Sequence, residues 1–263
     1  MDRRRRELSQ NYLRDGQAAA QFLRAVAVDP EGLCLEVGAG EGILTTRLAG
    51  LCRQLIAYEV DPAHAARLES RMRGRGNVKV VIGDFLAARP PHEPFQVVGN
   101  APFSLTSPII DWCLAARRMR AATLITQREY ARKRTGGYGR WTMLTVSTWP
   151  FMRWELRGRI ARSQFRPMPR VDAGILYIER RAEPLIQPGR TGAYRRLVEA
   201  GFSGVGGSLQ ASLRRLYPAD RLGGAFGAAG LDRRALVGFV SPDQWITLFG
   251  QLDRPAASRG KRS

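Results

Sequence analysis

Apolar residues along this chain fall into two alternating rhythms. Short unbroken runs, "GLCLEVG" (32–38), "QLIAYEV" (54–60), "VKVVIGD" (78–84), "FQVVGN" (95–100) and "AATLITQ" (121–127), have the length of strands. Between them apolar positions recur at helical spacing: Ile43, Leu44, Leu48 and Leu51 within 41–52, then "PAHAARLESRM" (62–72), then a stretch near 107–116. This β-α-β-α-β succession predicts an α/β fold, a doubly wound Rossmann-like parallel sheet with right-handed crossovers. Strands continuous in Val, Leu and Ile predict a sheet covered on both faces. "DAGILYIERR" (172–181) reads as a late strand of the same sheet.

The rhythm changes after "AEPLIQPGR" (182–190), a Pro/Gly linker. Beyond it come short helical patterns with Gly-rich joints, "GAYRRLVEAGF", "SLQASLRRLY", "RLGGAFGAAG" and "PDQWITLFGQL". The expected organisation is a catalytic domain over 1–181, a small helical domain over 191–250 and a basic, disordered tail over 251–263. No internal repeat is visible.

Charge changes the picture of partners. The chain has 42 Lys and Arg against 23 Asp and Glu, a formal net charge of +19. So much like charge repels itself unless a polyanion neutralises it. Lysine occurs only at Lys79, Lys133 and Lys261, so the charge is carried by arginine, whose planar fork suits phosphate and base stacking. An arginine bias also follows from a GC-rich genome and does not by itself specify nucleic acid. No apolar stretch reaches the ~18 residues of a membrane span. The basic start "MDRRRRELSQNYL" is not followed by the apolar stretch of a signal peptide. Cys34, Cys52 and Cys113 have no paired spacing, and His64 and His92 lie in unrelated contexts, so neither a disulfide framework nor a metal site is expected. A reduced, cytoplasmic protein with no membrane association is expected.

In an open α/β sheet ligands bind beyond the carboxyl ends of the strands, where strand order reverses. The first strand runs into Glu36-Val37-Gly38-Ala39-Gly40-Glu41-Gly42. Its glycines are either a plain tight turn or a site of close backbone approach to a ligand. The dinucleotide pattern G-x-G-x-x-G needs glycine at 43 or 45, where Ile43 and Thr45 stand, so the acid-x-Gly-x-Gly form favours S-adenosylmethionine. Glu59 ends the second strand, where a carboxylate can accept both hydroxyls of a ribose. Asp84 follows the third, where it can accept from an adenine amine. After the fourth strand stands Asn100-Ala101-Pro102-Phe103. The Asn100 side-chain oxygen and the Ala101 carbonyl can accept the two hydrogens of an exocyclic amine, and Phe103 can stack on its ring. An ordinary Asn-x-Pro turn is the alternative.

Asn-x-Pro-Phe, together with "SQNYL" (9–13), "EVGAGEG", "GDF" and "FRPMPRVDAG" (165–174), resembles the rRNA adenine N6-methyltransferases over nearly all of 8–181 and, more loosely, the helical region. "QREYARKRTGGYGRWTMLTVSTWPF" (127–151) is similar to the Erm branch, which modifies one adenosine of 23S rRNA and gives resistance to macrolide, lincosamide and streptogramin B antibiotics. The resemblance suggests an actinobacterial origin and implies the following roles. Asn11 and Leu13 close over S-adenosylmethionine. Gly38 faces its methionine part, Glu59 holds the ribose and Asp84 the cofactor adenine amine, with Gly40, Val60 and Phe85 also among the cofactor-binding residues. Asn100 lies between cofactor and target, Phe103 stacks on the target adenine, and Phe165 closes its other face. The implied partner is a 23S rRNA stem with an unpaired adenosine, met before subunit assembly is complete, by a monomer whose helical domain over 191–250 binds RNA. The alternatives are the small-subunit rRNA adenine dimethylase and a non-catalytic RNA-binding protein on the same scaffold.

The charge generates a first test. Affinity for an RNA stem falls linearly with salt on logarithmic axes, by about 0.7–0.9 per phosphate contact. Neutralising Arg195 with Arg196, or Arg233 with Arg234, lowers that slope where the pair touches phosphate. Filter binding across a salt series measures it, and a salt-independent affinity contradicts the electrostatic account.

Overall fold

The computed structural model of the chain describes residues 11–100 and 102–253. They form two compact units. One comprises the described residues up to Arg132 together with Arg153–Arg180, and the other Lys133–Met152 together with the described residues from Arg181.

The first unit runs β1 (Tyr12–Leu13), α1 (Gly16–Leu23), β2 (Leu33–Val37), α2 (Thr45–Leu48), β3 (Gln54–Glu59), α3 (Pro62–Met72), β4 (Val78–Ile82), β5 (Phe95–Gly99), α4 (Thr106–Ala115), β6 (Met119–Gln127), the start of α5 (Arg128–Arg134), β7 (Met152–Ile160), β8 (Phe165–Arg166) and β9 (Ala173–Arg180). Seven strands make one sheet in the order β4-β3-β2-β5-β6-β9-β7. From β4 to β6 the neighbours are parallel, and β9 lies antiparallel to β6. The chain steps outward from β2 through β3 to β4 and returns to β5 on the other side of β2. That reversal opens a crevice at the carboxyl ends of β2 and β5, where Val37 pairs with Tyr58 on one side and Gly99 on the other.

Local signals explain where the elements start and stop. Helix α3 occupies the expected 62–72 because Asp61 accepts from Ala63 N (2.8 Å) and His64 N (3.3 Å), and Pro62 sits where its missing N–H costs nothing. The helix expected over 41–52 shrinks to the four residues of α2. Gly42 lies at φ +84°, outside helical space, and a Cβ there would collide with Leu68 Cδ1. The chain therefore completes a tight turn before it can wind. Strand β7 was not expected. It alternates buried Met152 and Trp154 with exposed Arg153 and carries Leu156 outward, the pattern of a half-covered edge strand. Strands β1 and β8 make a separate antiparallel pair, Tyr12 opposite Arg166 and Leu13 opposite Phe165. Phe22, Cys34, Leu48, Leu55, Val98 and Ile175 are buried in a core that also takes in Leu13 and Phe165.

The second unit contains α6 (Met143–Thr148), α7 (Thr191–Gly201), α8 (Leu209–Leu213), α9 (Ala219–Ala228) and α10 (Pro242–Leu252). Trp245, Tyr194, Leu197, Leu222 and Phe226 form its core. Residues 133–152 precede the linker in sequence yet belong here. Val146 is buried in this core, and its carbonyl accepts from Tyr194 Oη at 3.0 Å. Ser241 and Gln244 cap α10 reciprocally.

Two acidic side chains lie inside the first unit, Glu36 and Glu59, and among the described residues Glu36 is the one without hydrogen bonds. Glu36, in the fully buried β2, is 1% exposed. Neither of its carboxyl oxygens, nor the hydroxyl of neighbouring Thr45, has a hydrogen-bond partner among the described residues. Burial pushes its pKa up to about 8, reinforced by the charges of Glu59 and Cys52. Its folded-state pKa lies above the unfolded value, so its contribution to stability is complete below pH 4.5 and is lost as the pH climbs to about 8. The loss reaches at most about 1.4 kcal/mol per pH unit. Glu36→Gln removes the titration. Its advantage in urea-unfolding midpoint over the parent protein grows from pH 5 to pH 8; midpoints that move in parallel show that Glu36 titrates alike in both states.

Candidate cofactor and target site

A cavity of about 190 Å³ opens at the carboxyl ends of β2 to β5. Asn11 and Tyr12 line it, with Val37 and Gly38 after β2, Tyr58, Glu59 and Val60 after β3, and Gly83 to Leu86 after β4. Asn100, Pro102, Leu105 and Ile109 complete it beyond β5. A larger cleft of about 820 Å³ lies by residues 90–92 and 115–118, ahead of β5 and β6. No carboxylate or side-chain amide lines it, so the convergent chemistry is in the smaller cavity.

Glu59 organises the cavity floor. Its side chain is buried, and its two oxygens accept from Gly40 N (Oε2, 2.7 Å) and Asp61 N (Oε1, 2.9 Å). Each oxygen keeps a second lone pair. Gly40 takes φ +55°, and a Cβ there would stand 3.1 Å from Tyr12 Cε1, so the Tyr12 ring rests directly on the turn. That ring is edge-on to His64 at 5.5 Å, and Tyr12 Oη lies 3.4 Å from His64 Nδ1. Gly38 N and Ala39 N both donate to Tyr58 O at 3.0 Å.

At the end of β4, Asp84 Oδ1 accepts from Leu86 N at 2.9 Å and caps the turn Phe85–Ala87. Phe85 is buried, edge-on to Tyr58 at 5.5 Å and tilted against Trp112 at 4.4 Å. Val60 stands half exposed at the rim.

At the end of β5, Asn100 Nδ2 donates to Asn11 O at 2.7 Å. This fixes the amide, and its Oδ1 is buried with no partner among the described residues. An acceptor held out of water without a donor is costly, so its presence marks a place for a ligand N–H or O–H. Phe103 opens the next turn and is half-buried, with its ring edge-on to Phe165 at 6.4 Å.

The structure thus gathers Asn11, Gly38, Glu59, Val60, Asp84, Phe85 and Asn100 around one cavity. Gly40 stands behind it, bonded to Glu59. Leu13 and Phe165, 5% and 3% exposed, pair across β1 and β8 within the core. Phe103 packs against that core, and neither phenylalanine lines the cavity. Glu36, the acid of the glycine turn, does not line it either. Ala101, and Ser9 and Gln10 of "SQNYL", lie outside the described residues, as does the tail from residue 254. Sequence reasoning missed Tyr12, Tyr58, Leu105 and Ile109. Leu105 and Ile109 stand four apart at the start of α4, a spacing that places both on one face.

The lining holds two carboxylates and no Lys or Arg, in a chain of net charge +19. Such a cavity suits a ligand that is positively charged and rich in hydroxyl and amine donors. These features agree with the comparisons to known proteins. The profile of the family described as ribosomal RNA adenine dimethylase matches residues 1–254. The chain is 54% identical over 259 residues to an rRNA adenine N-6-methyltransferase of Streptomyces fradiae, covering 98% of this chain and 81% of that one. It is 35% identical over 255 residues to the mycinamicin-resistance protein MyrB of Micromonospora griseorubida, covering 97% and 81%. Among solved structures, the crystal structure of the 23S rRNA methyltransferase ErmE matches with a TM-score of 0.90 at 46% identity, covering 93% of this chain and all of that one. The strand-end acids, the fixed amide and a match along almost the whole length agree: the chain belongs to the ribosomal RNA adenine dimethylase family.

Proposed function

We propose that the protein transfers a methyl group from S-adenosylmethionine to N6 of one adenosine in 23S rRNA, and that the modified ribosome resists macrolide, lincosamide and streptogramin B antibiotics. The observation that carries the chemistry is Asn100: its amide is locked by Asn11, and its buried Oδ1 awaits a donor. Likeness to ErmE and to MyrB favours the 23S branch over the small-subunit dimethylase.

The cavity fits S-adenosylmethionine by its donor and acceptor set. Glu59 keeps lone pairs for the ribose hydroxyls. Asp84 Oδ1 is engaged in its cap, which leaves Oδ2 for the adenine amine. Gly38 borders the methionine part, and Asn11 and Tyr12 cover the site from above the glycine turn. When bound, the cofactor supplies a methyl group on a positively charged sulfur, already a good electrophile. The protein's task is positioning and electrostatics rather than strong base catalysis. Asn100 Oδ1 accepts one N6 hydrogen of the target and the Ala101 carbonyl the other, which draws electron density onto the nitrogen. Phe103 stacks on the target base, and buried Phe165, edge-on to it, sets that ring's orientation. An adenine amine inside a duplex cannot reach the cavity, so the target is an adenosine unpaired or flipped from a stem, at a cost of a few kcal/mol. A monomer acting on the stem in the cytoplasm before assembly is complete meets these needs. No helix among the described residues is long and apolar enough to cross a membrane.

Primer extension on 23S rRNA from expressing cells tests the proposal. Reverse transcription stops at one adenosine and the cells tolerate a macrolide. Methyl incorporation confined to small-subunit rRNA transfers the reading to the alternative branch.

Substitutions at two positions separate the roles. Asn100→Ala removes the acceptor for the target amine together with the bond that Nδ2 makes to the Asn11 carbonyl. An unsatisfied buried group costs about 1–3 kcal/mol, so kcat falls about tenfold or more and stays low at saturating RNA and cofactor.

Phe103→Ala removes a stacking face worth roughly 1–3 kcal/mol but leaves calorimetric cofactor affinity nearly unchanged, while Phe103→Tyr keeps most activity in single turnover. A loss of cofactor affinity as large as the loss of activity in Phe103→Ala shows a packing role instead.

A further inference from the structure

Among the exposed large apolar side chains of the helical unit, two belong to one turn and are the most exposed. In the turn that includes Val237–Phe239, Leu236 and Phe239 are each 53% exposed, whereas Val240 beside them is fully buried. In a 3₁₀ turn, residues three apart lie on one face, so Leu236 and Phe239 share it. The turn is firmly held. Phe239 N donates to Leu236 O at 3.0 Å, and Trp141 N donates to Gly238 O at 2.7 Å. Trp141 is itself anchored edge-on to Trp149 at 5.7 Å. The Trp141 bond brings the preceding loop onto the turn, and the Arg140 guanidinium lies over the Phe239 ring, 5.0 Å from its centroid. Arg233 and Arg234, just upstream, are exposed. The one acid of this segment, Asp232, already accepts from Arg234 N at 2.6 Å.

An exposed ring, a guanidinium laid over it and two flanking arginines offer what an unpaired base and its phosphates require. Bases stack on aromatic faces and on guanidinium planes alike, and the arginine fork meets phosphate oxygens. An acidic protein surface would satisfy the arginines but would give the ring no flat partner. Building on the reading of the protein as an rRNA methyltransferase, we propose that Phe239, Arg140 and Leu236 hold an unpaired base of the RNA substrate, with Arg233 and Arg234 on adjoining phosphates. This second RNA site is made wholly of residues from the helical unit and includes none that line the cofactor cavity.

Steady-state methyl transfer by the full chain tests it, with a 23S rRNA transcript that carries the target stem and its flanking single strands. Phe239→Ala raises KM for the transcript roughly five- to a hundredfold and leaves kcat unchanged. Phe239→Trp, which keeps a stacking face, stays within about twofold of the parent. Arg233→Gln and Arg234→Gln each reduce the salt slope of binding by about one. An unchanged KM in Phe239→Ala overturns the proposal, as does a Phe239→Trp variant no better than Ala. Sedimentation showing a parent dimer that Phe239→Ala dissociates overturns it too, because the face then joins two copies of the chain. Should the parent methylate no RNA, the functional reading fails. Cofactor-free binding of the same transcript by parent and Phe239→Ala then decides the platform by itself.

Discussion

Two backbone hydrogen bonds to one buried carboxylate hold the cavity open in its working shape. Glu59 accepts from Gly40 N in the turn after β2 and from Asp61 N at the head of α3. Bonds of this kind to a charged group are among the stronger ones in proteins, and removing one partner from a buried set is expensive. The bond to Gly40 fixes the turn, the turn supports the Tyr12 ring, and Asp61 caps the helix that presents His64 to that ring. The same carboxylate faces the cavity with its remaining lone pairs. One side chain therefore both sets the backbone and lines the cavity, so the two effects cannot be separated by mutating it.

The cavity and the rest of the chain have opposite electrostatic characters. Around the cavity stand acceptors and no basic side chain, although the chain carries a large positive excess. A cationic methyl donor needs acidic and carbonyl oxygens, whereas an RNA needs arginine, and each is supplied by different residues. The net charge overstates the number of arginines that can meet phosphate. Arg180 donates to the Met119 and Ala116 carbonyls, Arg71 to the Glu41 carbonyl, Arg181 to the Trp149 carbonyl and Arg221 to the Leu252 carbonyl. Arg157 lies 3.2 Å from the centroid of the Tyr177 ring and also pairs with Glu155. These guanidinium groups tie off chain ends and turns.

Asn100 shows why the strand-end tetrapeptide has its order. The amide has two hydrogen-bonding sides, and a side chain free to rotate would present either one. Donation to the Asn11 carbonyl orients Nδ2 away and leaves the acceptor oxygen buried and unpaired. Phe103 is steadied in the same way by the edge of Phe165, which the core in turn holds. In both cases the group proposed to meet the ligand is positioned by a neighbour with no such role.

What the sequence determined by itself was whatever depends on neighbouring residues. The five apolar runs became β2 to β6 within a residue or two, because a parallel strand covered on both faces is written as a continuous apolar stretch. Helix α3 kept its expected limits because Asp61 and Pro62 encode its start. That Glu59, Asp84 and Asn100 share one cavity was legible because parallel strands deliver their last residues to one edge of the sheet. Tertiary structure alone decided the rest. Asn11 reaches Asn100 across 89 positions, and Tyr12 reaches His64 across 52, separations about which periodicity is silent. The helix expected over 41–52 was cut short because Gly42 turns at φ +84°, a turn packed so closely by Leu68 that a Cβ there would not fit. Residues 133–152 joined the helical unit because Val146 found its core there, although no linker in the sequence marks the departure. Which side chains become a site's support depends on contacts between distant segments, and those form only when the whole chain closes.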